Sequence, residues 1–218
     1  MKNPVRTITT ETNRAQIYEW MLYDVLERVH DPSGKPIIQK ASEKVAELLE
    51  LVAVTAWHNG DVRATTKTRV KDHCDKANLK HVLDEVFPDS AKSDITSIFL
   101  AFYFQESYER VGQERAFEFS HKSYGEYLVA RRIKRFFVTL HKNLKERNWT
   151  EEEALKRWAE LFGPASLTQE LHDFVRDIVE LESVENRNAW RKDFVQLFGA
   201  MARIGMPVHQ FACRILWP

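Results

Sequence analysis

The sequence predicts a mainly α protein, a winged-helix domain (helices plus a two-stranded β-hairpin) followed by a small helical bundle. Three observations carry that expectation. Apolar residues recur at helical spacing through most of the chain. One aromatic run and one alternating segment interrupt them with strand character. Helix-start signals of the form Ser/Thr-x-x-Glu stand at Ser123 and Thr150, and Gly or Pro breakers stand where stripes stop.

In chain order, Tyr18, Met21, Leu22, Val25, Leu26 and Val29 mark a helix over 12–30, closed by Asp31-Pro32-Ser33-Gly34. Val45, Leu48, Leu49, Val52, Ala56 and Trp57 mark a second, stopped at Asn59-Gly60. Residues 65–77 and 79–87 read as two short helices resembling a helix-turn-helix pair, the second ended by Pro88. The aromatic run 98–104 reads as the first hairpin strand and 116–120 as the second. The polar stretch 105–115 with Gly112 reads as the connection, its 109–113 portion forming the wing. A long helix then starts near Ser123 and runs to about Arg147, with Tyr127, Ala130, Ile133, Phe137, Leu140 and Leu144 on one face.

Thr150 and Glu153 open the next helix, which carries Ala154, Leu155, Trp158 and Leu161 and ends at Gly163-Pro164. Two more follow, marked by Leu171, Phe174, Ile178 and Leu181, then by Trp190, Phe194, Leu197, Met201 and Ile204. The organisation expected is an entry segment at 1–11, the winged-helix domain with its long C-terminal helix at 12–148, a helical bundle at 149–205, and a tail at 206–218 without a clean helix stop.

Composition narrows the function classes. With 218 residues and 44% hydrophobic content the chain has material for a substantial core. Its 32 Lys and Arg balance 32 Asp and Glu, which argues against a dedicated nucleic-acid binder or a polybasic membrane-surface protein. Cys74 and Cys213 have no paired-ligand spacing, so a reducing, cytoplasmic setting is expected. No stretch approaches the roughly 20 apolar residues of a membrane span. The chain's 7 glycines open no Gly-x-x-x-x-Gly-Lys-Ser/Thr phosphate loop. No cofactor and no enzymatic activity are expected of the chain by itself.

The segment from Phe117 to Arg132 holds the most chemistry. An alternating segment, Phe117-Glu118-Phe119-Ser120, runs into the long helix with His121 at the joint. Ser123 and Glu126 read as the capping box, which would bring free backbone N–H groups and the positive helix end close to the imidazole, a setting suited to an anion. On the residues alone, His121 serves either to satisfy backbone groups at a strand end or to contact such an anion. A hydrolase built on His121 and Glu126 lacks a nameable nucleophile or oxyanion arrangement.

Phe119, His121, Ser123, Tyr124, Glu126, Tyr127 and Ala130 fill a pattern, F-x-H-x-S-[FY]-x-E-[YF]-x-x-A, that resembles the winged-helix signature of NACHT-type signal-transducing (STAND) NTPases, bacterial relatives of NLR immune sensors. Asn13-Arg14-Ala15-Gln16-Ile17-Tyr18-Glu19 resembles that family's N-R-A-x-[IL]-Y-E helix, which follows its NTPase domain. Trp158-Ala159-Glu160-Leu161-Phe162-Gly163-Pro164 resembles a downstream helical segment.

The resemblance implies a regulatory and interaction module from the middle of a longer polypeptide. Residues 1–11 would be the linker from an upstream NTPase region and sensor repeats would lie downstream. His121 would contact the ADP phosphates bound by the NTPase domain, whose parent protein would use ADP/ATP with Mg. Homo-oligomerisation on activation and a role in antiviral defence are implied in the same way. The rival expectation is a winged-helix DNA-binding transcriptional regulator. Lys67, Arg69 and Lys71, together with Arg131, Arg132 and Arg135, are the candidate DNA or domain contacts, although Asp72 and Asp75 break the positive run. Asp72-His73-Cys74-Asp75, near His58 and His81, has ligand-type side chains, but adjacent helical residues diverge and no metal site is expected.

Overall fold

The computed structural model describes residues 8–28, 42–58, 64–66, 68–70, 72, 104–111, 114–119, 121–163 and 165–206. The described chain is mainly helical. Its elements are α1 (Arg14–Arg28), α2 (Ser42–Trp57), β1 (Ala64–Thr66), β2 (Phe104–Val111), β3 (Glu114–Phe119), α3 (Lys122–Lys145), α4 (Glu151–Phe162), α5 (Gln169–Glu180) and α6 (Val184–Ile204). Residues 68–70 and 72 are also helical.

α2 forms because an unbroken run without Gly or Pro begins beside an acidic residue, Glu43, that complements the positive helix end. Val45, Ala46, Leu48, Leu49, Leu51, Val52, Ala53 and Val54 are all buried, so this helix is apolar around most of its circumference and lies inside the protein. Burying a leucine such as Leu48 or Leu49 contributes about 1.5–3 kcal/mol. α3 packs along α2 on one side and along α5 on another. The main buried cluster unites Leu22 of α1, Leu49 of α2, Phe119 of β3, Tyr127 and Leu128 of α3, Phe174 of α5 and Trp190 of α6. It therefore draws on residues from both sides of position 148. A second cluster joins Leu140 of α3 with Ala154 and Leu155 of α4 and with Leu197 and Ala200 of α6.

The last three helices are stopped and started by local chemistry. Thr150 caps α4 by accepting from the Glu153 amide, as its Thr-x-x-Glu spacing predicts. Thr168 caps α5 by accepting from the Leu171 amide, and Ser183 caps α6 by accepting from the Asn186 amide. α4 ends at Gly163, whose φ of 47° suits glycine.

β1, β3 and β2 form an antiparallel sheet in that order, with Thr65 opposite Phe117 and Phe104 opposite Phe119. Two expectations are corrected here. Thr65 and Thr66 are strand residues rather than the start of a helix over 65–77, because both β-branched side chains are buried where β1 pairs with β3. The stretch 105–111, expected as connection and wing, is strand β2, and Val111 pairs with Glu114. β2 lies at the sheet edge, where strands tolerate the polar composition that imitates a loop. The breakers at 31–34 and 59–60, most of 67–87, the run 98–103 and the tail 207–218 lie outside the described residues.

Candidate functional site

The strand-to-helix joint begins with Phe119, the buried end of β3, and continues at His121. His121 occupies the N-cap position of α3 with an extended backbone (φ −124°, ψ 121°) and makes no side-chain capping hydrogen bond. Its carbonyl accepts from the Tyr124 amide at 3.1 Å, and its side chain is exposed beside exposed Lys122. The register is set by the core. Tyr124, Tyr127 and Leu128 must all point inward, and the Phe119 ring lies over Gly125 so closely that an added Cβ would meet it at 3.1 Å.

The capping box expected of Ser123 and Glu126 is therefore corrected. Ser123 is the second residue of α3, inside the helix, and Glu126 is not at the position that reaches back to a cap. Glu126 instead accepts from the Thr168 hydroxyl at 2.8 Å and lies 3.6 Å from the Lys122 ammonium. Since Thr168 also caps α5, Glu126 ties the start of one helix to the start of another.

The Asn13-Arg14 pair docks the N-terminus of α1 on α5. Asn13 donates to the Asp177 carbonyl at 3.0 Å, and Arg14 bonds Glu170 at 2.6 Å and Asp177 at 3.1 Å. The Arg14 guanidinium also stands 4.0 Å from the Phe174 ring centroid.

Three of the six basic candidates converge on α1 and α2. Arg135 grips the fully buried Glu50 with two bonds, Nε at 2.9 Å and Nη2 at 3.0 Å. Arg131 reaches Glu19 at 3.0 Å, Glu50 at 3.3 Å and the Tyr23 hydroxyl at 3.0 Å, while Arg132 bonds Glu47 at 2.9 Å. Tyr127 donates to Glu19 and Tyr23 donates to Glu43. Arg69 is described and half-buried, its amide donating to the Thr66 hydroxyl at 3.3 Å. Lys67 and Lys71 lie outside the described residues, as do His73, Cys74, Asp75 and His81.

Of these groups Glu19, Glu43, Glu50, Tyr127, Arg131 and Arg135 line a cleft of about 490 Å³ between α1, α2, α3 and α5, together with the apolar Trp20, Val138, Ile178 and Leu181. Burial and the hydrogen bond to Glu43 push the Tyr23 pKa up to about 12. Burial and the Glu19 charge likewise raise Tyr127. Burial works against the charged forms of Arg131 and Arg135, but Glu50 acting together with Glu19 on Arg131 and with Glu47 on Arg135 overcomes it and raises both. Burial also works against ionised Glu43, yet the Tyr23 hydroxyl and the two arginines hold it below the ordinary carboxylate range. Every guanidinium of the assembly meets a carboxylate, which suits it to fixing three helices against one another.

The partners of the arginines, Glu19, Glu43, Glu47 and Glu50, are the residues that reading the sequence missed. A signal existed: Glu43, Glu47 and Glu50 recur at spacings of four and three on an otherwise apolar helix, matching the basic cluster on α3. Among the described residues, no group of three or more His, Cys, Asp or Glu side chains is arranged to hold a metal ion. No helix among them is long and apolar enough to cross a membrane. No protein-family model matches this chain, and neither does any curated protein or solved structure.

Proposed function

We propose that this chain is the winged-helix and helical-bundle region of a NACHT-type signal-transducing NTPase, a regulatory module that holds the ADP-bound state and couples nucleotide exchange to sensing and oligomerisation. The observation that carries this reading is the placement of His121. Its side chain is exposed at the N-terminus of α3, makes no capping bond and stands beside Lys122. An imidazole so presented can donate to a phosphate brought by another domain, a charge-assisted hydrogen bond worth about 1.5–3 kcal/mol. That is enough to bias a closed-to-open equilibrium by one or two decades.

The joint fits a diphosphate as one side of a contact. It supplies an imidazole, an ammonium and a helix N-terminus, whereas the phosphate loop and the Mg ligands belong to the upstream NTPase domain the reading requires. A bound nucleotide supplies the difference in charge and contacts between two states, and this chain's residues only read it. Antiparallel β2 and β3, feeding α3 after preceding helices, support the winged-helix assignment. The alternative, a DNA-binding regulator, is weakened by Arg131, Arg132 and Arg135, whose guanidiniums are committed to Glu19, Glu47 and Glu50.

The test is His121→Ala in a polypeptide extended to include the NTPase domain. Bound ADP after purification should fall roughly tenfold relative to the unsubstituted protein. Unchanged nucleotide occupancy would refute the contact.

A further inference from the structure

α6 has two faces with different fates. Trp190, Leu197 and Ala200 are buried on its inner side. On its outer side Arg191, Val195, Phe198 and Ala202 follow at spacings of four, three and four residues, the repeat of a single helical face. Val195 is 70% exposed and Phe198 48% exposed there. Arg187, Arg191 and Lys192 are also exposed, and none forms an ion pair among the described residues. Of the two carboxylates on the same helix, Asp193 bonds His141 at 2.9 Å and Glu185 stands exposed in the first turn. The result is an apolar stripe bordered by cations that form no ion pair among the described residues.

We propose that this outer face of α6 docks an amphipathic helix of a partner protein whose apolar stripe is bordered by carboxylates. Charge favours that occupant over a second copy and over the chain's own tail. A second copy would set Arg187, Arg191 and Lys192 against their own equivalents, which repel. Residues 207–218 of the chain contain no Asp or Glu and add Arg214, so they carry the wrong sign. A phosphate backbone would satisfy the cations but leave Val195 and Phe198 in water, whereas an acid-bordered helix dehydrates the stripe and answers the border together.

The experiment uses the full chain and two labelled helical peptides, one with a leucine stripe flanked by glutamates and a twin flanked by lysines. Fluorescence anisotropy should register binding of the glutamate peptide and binding at least about tenfold weaker for the lysine twin. Val195→Glu and, separately, Arg191→Glu should each weaken the glutamate peptide by about tenfold. Thermal unfolding of both variants should match that of the parent chain. Equal affinity for the two peptides, or no effect of either substitution, would overturn the proposal. So would a loss of thermal stability in Val195→Glu, which would mean that the chain's own residues cover the face. Binding of phosphatidylcholine–phosphatidylserine vesicles without peptide binding, or concentration-dependent dimerisation, would assign the face to a lipid surface or a second copy instead.

Discussion

The two long seams of the molecule are held by opposite chemistry. Between α2 and α3, buried Glu50 is clasped by Arg131 and Arg135, with Glu43 and Glu47 extending the contact outward. Between α4 and α6, Trp158, which stacks on Phe162 of its own helix at 4.1 Å, meets Phe194 and Phe198 of α6 edge-on at 5.4 and 6.2 Å. An aromatic seam gains from burial in any register that fills space, whereas a buried carboxylate is tolerated only where cations meet it. The ionic seam therefore selects one mutual placement of α2 and α3, and the aromatic seam supplies cohesion that protons and salt barely touch.

Breaking the ionic seam at its centre should have the largest effect. Glu50→Ala leaves Arg131 and Arg135 partly buried without their shared counter-charge and should cost about 3–5 kcal/mol in urea unfolding. Replacing Glu50 and Arg135 together by leucine should recover much of that loss, which would show that the seam confers placement more than net stability. Trp158→Ala in the aromatic seam should cost about 3 kcal/mol, less than a fully buried tryptophan because this residue is only partly buried. Its effect should be the same in low and high salt. At the rim of the ionic seam, Arg132→Ala removes a partly screened pair with Glu47 and should cost about 1 kcal/mol, shrinking as salt is added.

The gentlest perturbation is a proton placed where the two regions meet. His58, at the end of α2, bonds the Leu161 carbonyl of α4 at 2.7 Å and fills the space where a side chain on Gly163 would sit. Burial, only partly opposed by that carbonyl, holds its pKa below the ordinary histidine value. The unfolded chain takes up the proton near its ordinary value of about 6.5. The folded chain resists until lower pH. Stability should therefore rise with pH between the folded value and about 6.5, and fall as pH is lowered through that window. His58→Gln should flatten the pH dependence of the urea midpoint, and an unchanged profile would remove His58 as its source. In more acid solution Glu43 adds a further loss, since its depressed pKa favours the folded state only while the carboxylate stays ionised.

The helices whose apolar residues repeat every three or four positions were legible in the sequence, and so were the Thr150 cap and the Gly163 stop, because these depend on neighbours along the chain. What escaped depends on neighbours in space. Thr65 and Thr66 became strand because β3 lies alongside them. The start of α3 moved to His121 because Tyr124, Tyr127 and Leu128 must enter the core together. The exposure of His121 could not be read from its position in the chain. The arginines of α3 looked like a solvated face, and only the packing of α2 against α3 brings Glu47 and Glu50 to them.

The 24 residues of α3 carry a mechanical consequence. At about 1.5 Å per residue the helix is roughly 36 Å long, and it contributes Tyr127 to one buried cluster and Leu140 to the other. A rod of that length magnifies any tilt at its His121 end. A tilt of about 10° imposed at that end would sweep the far end through about 6 Å, so a sub-nanometre event at one terminus becomes a displacement that α4 and α6 must follow.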